Sequence, residues 1–407
     1  MFLDREIRNQ LLQAADQFPV VVLTGARQAG KTTALQNLFP HHRYVSLDLP
    51  SLAEQAERDP ETFLSTNPPP LIVDEVQYAP GLFRHIKAAV DRNRHNNGQY
   101  ILTGSQHFIL MKNISDSLAG RAAVFELENL SLPELCKAGI FCTKEQSLFR
   151  LLCRGQFPEL WRNQNIDRNI FYTSYLITYL ERDVRQILQV TSLRDFERFI
   201  RLLAARSGSI LNKTDLAKDV GVSSKAINDW ISVLQASGQI VLLEPWFTNF
   251  GKRLVRSPKV YFRDSGLLSF LLGIDETILD QSPFKGAIWE TFLFAELRKT
   301  DIFRTGQGRI WYYRDQNARE VDFILEYKGT LSFVEAKWTE HPEERDAKIM
   351  NSVYSDLEKS SSPWKAGNRC IICRTAHPYH LADGTMAVPA EAVHSLWDIP
   401  VEGPYHP

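Results

Sequence analysis

Long apolar runs are missing from this chain of 407 residues, and none approaches the ~18 consecutive apolar residues of a membrane span, so no membrane association is expected. Cysteine is scarce: five irregularly spaced residues are too few for a disulfide framework. The first residues, MFLDREIRNQLLQAADQF, mix acid and base where a secretory signal needs a basic start and an apolar core. Both features point to a cytoplasmic location. Net charge is nearly absent too, with 47 Lys and Arg against 48 Asp and Glu. Attraction to nucleic acid or an anionic membrane would therefore have to come from a local patch. What remains, 44% hydrophobic and 23% charged residues, describes a soluble globular chain long enough for roughly two to four domains.

Cys370, Cys373, His377 and His380 have the C-x2-C-x3-H-x2-H spacing of a closed zinc site. The two cysteines, however, flank Ile371-Ile372 in an apolar run that reads as a buried strand, where a free thiol behaves as a small hydrophobe. Zinc is not assigned.

The first third alternates short apolar runs with helical ones: FPVVVLTG, a helix from about Thr32, YVSLDL, PPPLIVDE, a helix from about Leu82, then QYILTGS. That pattern implies a mostly parallel sheet covered by helices on both faces. Within it, GARQAGKT fits G-x-x-x-x-G-K-[ST], following an apolar strand and opening a helix. Backbone N–H groups of Gly25, Ala26, Arg27, Gln28, Ala29 and Gly30, with Lys31, Thr32 and Thr33, can then surround phosphate oxygens. Lys31 is expected on the β- and γ-phosphates of a nucleotide and the Thr32 hydroxyl on Mg2+.

A second strand, LIVDE, ends in Asp74, placed to hold magnesium, and Glu75, placed to polarise the attacking water as general base. A third, YILTGS, ends in Thr103 and Ser105, either of which could orient that water or simply cap a turn. Arg121 in SLAGR could supply charge to the transition state, in cis or to a neighbouring subunit of a homo-oligomer, or be a solvated arginine.

Beyond LSLPELCKAG the pattern turns helical, and LNKTDLAKDVGVSSKAINDWISVLQASGQIVLLEPW reads as helix, turn at Gly221, helix and hairpin, a winged-helix candidate. Its second helix would present Ser224, Lys225, Asn228 and Ser232, with the acidic Asp229 beside them, to DNA or to a protein. A basic, aromatic-interleaved stretch follows, with Lys252, Arg253, Arg256, Lys259 and Arg263, read either as a nucleic-acid footprint or as a solvated or interdomain surface.

The phosphate loop, LIVDEVQ, ILTGS and SLAGR, with YLERDVRQI and FGKRLVRSPKVYFRDSGLLSFLLG after them, resemble the AAA-type ATP-binding proteins of bacteria and archaea. The resemblance spans nearly the whole chain and implies ATP binding and hydrolysis. It also implies an α/β fold: a P-loop NTPase domain over 1–135, a helical and winged-helix region over 136–257, and an α/β restriction-endonuclease-like domain over 258–407.

In the last part, VDFILEYKGTLSFVEAKW folds back on itself at Lys328-Gly329, which sets Asp322 opposite Glu335 with their Cβ atoms ~5 Å apart. Opposed carboxylates destabilise a sheet unless a proton or cation intervenes, and a divalent metal is the economical choice. Lys337 shares the face of Glu335, where it could stabilise an oxyanion or pair with Glu320. Glu290 lies in a helical stripe of Ala287, Leu293, Phe294 and Leu297, an unusual place for a solvated acid. Glu290, Asp322, Glu335 and Lys337 resemble the PD-(D/E)xK nuclease pattern, without a proline before Asp322. The resemblance implies carboxylate-held magnesium and phosphodiester hydrolysis, or a retained nuclease fold used for binding.

Overall fold

The computed structural model describes residues 3–104, 116–141, 145–179, 193–246, 257–360 and 362–397. The chain forms two compact units: Met1–Ile140 with Phe157–Gln164 and Ala236–Gln239, and Phe141–Gln156 with Asn165–Gln235 and Ile240–Pro407. No described helix is long and apolar enough to cross a membrane.

The first unit is built on five parallel strands: β1 (Val20–Thr24), β2 (Arg43–Ser46), β3 (Leu71–Asp74), β4 (Tyr100–Thr103) and β5 (Ala122–Glu126), in spatial order β2-β3-β4-β1-β5. The alternation read in the sequence is thus a parallel sheet. Side chains along β1 point alternately to its two faces. Val20 and Val22 pack with Val73, Leu102 and the helix Leu82–Arg92 through Phe83, Ile86 and Val90. Val21 and Leu23 pack with Ile72 and Ile101 on the other face, under Leu11, Ala34 and Leu35. Each such buried Val or Leu stabilises by about 1.5–3 kcal/mol, which is why the central strands are apolar throughout. Because all five strands run the same way, Thr24, Asp74 and Thr103 end on one edge of the sheet.

In the second unit, the helix Lys213–Val220 stops at Gly221, whose φ of 83° lets the N–H groups of Gly221 and Val222 both return to Ala217 O, and Ser224–Ala236 follows. Ile227 and Trp230 of that second helix are buried, Trp230 against Phe196 and Phe199, while Ser224, Lys225, Asn228, Asp229 and Ser232 are exposed. Strands β6 (Ile240–Leu243) and β7 (Lys259–Phe262) then pair antiparallel.

A six-stranded mixed sheet completes the unit: β8 (Gly308–Arg314), β9 (Glu320–Tyr327), β10 (Thr330–Ala336), β11 (Lys365–Ile372), β12 (Tyr379–His380) and β13 (Met386–Val388), ordered β12-β13-β11-β10-β9-β8. The β9–β10 turn uses positive φ at Lys328 (48°) and Gly329 (75°). Its pairing, from Thr330 with Tyr327 to Val334 with Phe323, is the register expected from the sequence, and both strands lie inside the sheet. Cys370 and Cys373 are buried, burial raising their thiols to about 12 and about 11, whereas His377 and His380 are exposed.

The helix Lys285–Arg298 is buried on most sides and carries the fully buried Glu296. Glu296 pairs with Lys299 Nζ at 2.8 Å and His394 Nε2 at 2.8 Å, and accepts from Gln156 Nε2 at 2.7 Å. Burial alone would raise this carboxyl, but Lys299 and His394 outweigh it and hold the group well below the ordinary glutamate range. A depressed carboxyl stabilises the fold above its unfolded value and loses that contribution as pH falls. Glu296→Ala is expected to cost about 3–5 kcal/mol in urea denaturation, since it strands a buried ammonium. Glu296→Gln should flatten the loss of stability that the wild type shows as pH falls from about 4.3.

Candidate functional site

The loop between β1 and the helix Lys31–Leu38 is shaped by two glycines. Gly25 has φ 143°, and a Cβ there would lie 2.3 Å from Leu127 O, so no larger residue fits without moving backbone. Gly30, at φ 91°, starts the helix. Between them Gln28 takes φ 60° and is exposed, as is Thr33 in the first helical turn. The Lys31 ammonium is folded onto the loop, donating to Gly25 O and Ala26 O at 2.9 Å each. Carbonyl oxygens hold it where phosphate oxygens could replace them.

Asp74, ending β3, is the polar centre of the sheet edge. Its Oδ2 accepts from the Thr32 hydroxyl at 2.6 Å and from the Tyr44 hydroxyl at 2.8 Å, and its Oδ1 accepts from the Glu75 N–H at 3.0 Å. Burial, reinforced by Asp74, raises the Tyr44 phenol, so Tyr44 acts here as a donor. Glu75 itself has φ 53°, a left-handed conformation that a side-chain-bearing residue adopts at a cost, and the Gln77 amide donates to its carboxylate. Thr103, at the end of β4 between β3 and β1, is fully buried, and its hydroxyl has no hydrogen-bond partner among the described residues. Ser105 lies outside the described residues.

Arg121 is elsewhere. It precedes β5, whose first residue pairs with Val20, the first of β1, while the loop follows the last residue of β1. The length of β1, roughly 16 Å, separates them, so Arg121 does not reach the phosphate loop of its own chain. It makes a two-pronged pair with Asp91 at 2.7 and 3.0 Å. The in-cis alternative for Arg121 is corrected by strand direction.

In the second unit Glu290, Asp322, Glu335 and Lys337 do come together, with a partner the sequence did not assign. Lys259, 1% exposed on β7, places its Nζ 3.1 Å from Glu290 Oε1, 2.6 Å from Glu320 Oε1 and 3.6 Å from Asp322 Oδ1. Tyr261, two residues on and on the same face, donates to Glu290. Asp322 Oδ2 accepts from the Ala336 N–H at 2.9 Å, and Lys337 Nζ donates to Glu335 Oε2 at 2.6 Å. Glu320 pairs with Lys259 and Arg314, so the Glu320–Lys337 alternative is not formed. Burial raises Glu335 well above the ordinary carboxyl range, with Asp322 pushing the same way. Burial also raises Glu290, to about 7. Asp322 stays below its ordinary value because Lys259 and Lys337 outweigh its burial. The Lys259 ammonium thus lies among these acids where the sequence reading put a divalent metal. Among the described residues no group of three or more His, Cys, Asp or Glu side chains is disposed to hold a metal ion. Lys259 is also no part of a solvated basic stripe; Lys252, Arg253 and Arg256 of that stretch lie outside the described residues.

A family model described as an AAA domain matches residues 17–136, and two described as domains of unknown function (DUF8612 and DUF4143) match 145–278 and 285–393. The uncharacterized protein Rv2008c of Mycobacterium tuberculosis is 31% identical over 399 residues, covering 96% of this chain and 84% of that one. The chain belongs to the AAA-type ATPases. The uncharacterized protein MJ1544 of Methanocaldococcus jannaschii is 24% identical over 369 residues, covering 83% of this ATPase and 79% of its own length. Among solved structures, the Walker-type ATPase PABY2304 of Pyrococcus abyssi has a TM-score of 0.45 at 14% identity, covering 66% of this chain and 96% of that one. The RuvB Holliday junction branch migration motor of Thermotoga maritima has a TM-score of 0.31 at 14% identity, covering 59% and 90%.

Several contacts of this AAA-type ATPase have no local signal in its sequence. Arg5, 6% exposed, donates through Nη1 to Ala29 O of the phosphate loop at 2.8 Å, through Nη2 to Glu128 O at 2.6 Å, and through Nε to Glu134 Oε2 at 3.0 Å. Glu134 is held in turn by the capping box it forms with Ser131, a sequence signature that marks the cap but not the arginine it receives. Tyr44 on β2, and Lys259 and Tyr261 on β7, reach carboxylates that other elements carry. Arg5→Ala is expected to lose about 1.5–3 kcal/mol of stability, the range of a charge-assisted bond, and to weaken binding of a fluorescent ATP analogue. Arg5→Lys should recover only part of either, for want of the guanidinium fork, while Arg8→Ala, at an exposed site, should change neither.

Proposed function

We propose that the chain is a cytoplasmic ATP-hydrolysing switch whose AAA domain controls a nuclease-like C-terminal unit. The observation that carries the ATPase reading is the 2.6 Å contact between the Thr32 hydroxyl and the Asp74 carboxylate, beside a Lys31 ammonium held on the phosphate loop. Two hard oxygen donors at that spacing fit Mg2+, which when bound with ATP would offset charge on the β- and γ-phosphates. Backbone N–H groups of Gly25 to Thr32 cradle the phosphates, and Lys31 leaves Gly25 O and Ala26 O to contact them. Glu75 accepts the proton of the attacking water, and its left-handed backbone and the Gln77 amide fix its direction. The Thr103 hydroxyl, without a partner among the described residues, orients that water or the γ-phosphate; Ser105 is the neighbouring candidate from sequence. Arg121, remote from its own loop, is proposed to serve a neighbouring subunit of a homo-oligomer.

The bounds we propose are 1–135 for the ATPase, 136–257 for a helical and winged-helix region, and 258–407 for a restriction-endonuclease-like domain. The exposed Ser224, Lys225, Asn228 and Ser232 are the residues with which the winged helix would meet DNA. For the carboxylate cluster, metal-dependent phosphodiester cleavage is the reading that Glu290, Asp322, Glu335 and Lys337 support by pattern. The Lys259 ammonium among those carboxylates favours the other reading, a nuclease-like fold kept for binding, and that is the one we adopt.

Lys31→Ala is expected to abolish ATP binding. Glu75→Gln should bind ATP normally and turn it over about 10²–10⁴-fold more slowly, and unchanged turnover would remove Glu75 from its role. Labelled single- and double-stranded DNA should stay intact with Mg2+ or Mn2+, with or without ATP. Cleavage by the wild type that Asp322→Ala and Lys337→Ala both lose would establish a nuclease instead.

A further inference from the structure

The residues that match a metal-dependent nuclease do not fit a divalent ion as they stand. Such an ion takes carboxylate oxygens at roughly 2.0–2.6 Å, and an ammonium already paired with those same oxygens competes with it for them. Here the space facing Glu290 Oε1 and Asp322 Oδ1 holds the Nζ of Lys259, which also touches Glu320. The placement is built in. β7 is paired along its length with β6, so the strand that carries Lys259 has little freedom to shift. Lys259 is 1% exposed, its Nζ lies 5.6 Å from the centre of the Tyr312 ring, and Tyr261 on the same face of β7 donates to Glu290. A buried ammonium persists where opposite charge or acceptors compensate its lost hydration, and it has three donors to place. Glu290 accepts a hydrogen bond from it at 3.1 Å, while Glu320 at 2.6 Å and Asp322 at 3.6 Å pair with its charge; the three acids come from the helix Lys285–Arg298 and from β9.

We propose that Lys259 is the resident cation of this cluster, occupying the position a divalent ion would need, and that removing its charge converts the cluster into a divalent-metal site. This rests on reading the C-terminal unit as a nuclease-like fold kept for binding. Lys259 would then be the residue that separates a binding module from a potential metal centre, because every carboxylate of the pattern is still present.

The test is Mn2+ titration of nucleotide-free full-length protein, with free Mn2+ read by electron paramagnetic resonance. Wild type and Asp322→Asn should bind alike, any Mn2+ at Thr32 and Asp74 being common to both. Lys259→Met and Lys259→Gln should each bind about one further Mn2+ per chain, as a single carboxylate cage allows. The double variant Lys259→Met with Asp322→Asn should lose it. The proposal is overturned if the wild type binds Mn2+ that Asp322→Asn loses, or if a Lys259 variant with wild-type near-UV circular dichroism gains none. If neither Lys259 variant folds, the comparison of wild type with Asp322→Asn decides alone. DNA cleavage, measured on the same samples, keeps the two readings apart. Asp322-dependent Mn2+ binding by an inert wild type overturns the role of Lys259 and leaves the binding module standing, whereas cleavage by the wild type overturns the binding module itself.

Discussion

A charge taken out of water needs an opposite charge or a full set of hydrogen bonds, and that requirement organises both candidate sites of this protein. In the AAA domain it ties the N-terminal segment to the phosphate loop: Arg5 is buried, so its guanidinium is spent on Ala29 O, Glu128 O and Glu134. It also settles Asp74, a buried carboxylate whose oxygens are taken by Thr32, Tyr44 and the Glu75 N–H. In the second unit the same demand draws Lys259 into a group of acids that repel one another.

The phosphate loop adds a steric constraint. Gly25 passes so close beneath Leu127 O that only hydrogen fits, and the chain then turns into a helix whose first N–H groups face the loop. Parallel strands bring Asp74 and Thr103 to the same edge without further adjustment. Local strain at Glu75 sits at the end of β3 beside Asp74, at the residue we propose as the general base. Stability elsewhere in the domain, from apolar strands packed on both faces, is what holds these unfavourable local states.

Much of this was legible in sequence because it is local. G-x-x-x-x-G-K-T between a strand and a helix, LIVDE at a strand end, and Lys328-Gly329 in a hairpin each specify their geometry over a few residues. The expected opposition of Asp322 and Glu335 follows from the turn, and the pairing runs in that register up to Val334 with Phe323. Glu290 is only partly buried, its side chain 16% exposed. Its helix is apolar on nearly every face, so a stripe through Glu290 did not distinguish that acid from the more deeply buried Glu296.

What failed to show was long-range. Lys259 looked basic and exposed because its neighbours in sequence are basic, yet the pairing of β7 with β6 turns it inward among acids from a later helix and strand. Arg121 looked able to serve its own phosphate site until the direction of β5 put it at the far end of the sheet. The amino-acid sequence alone determined the phosphate loop, the strand-end acids and the hairpin register, since turn chemistry and side-chain periodicity act between near neighbours. Only the tertiary structure decided which carboxylates meet the buried Lys259 ammonium, because the partner of a buried charge is chosen by packing across some tens of residues of chain, a choice that no local pattern encodes.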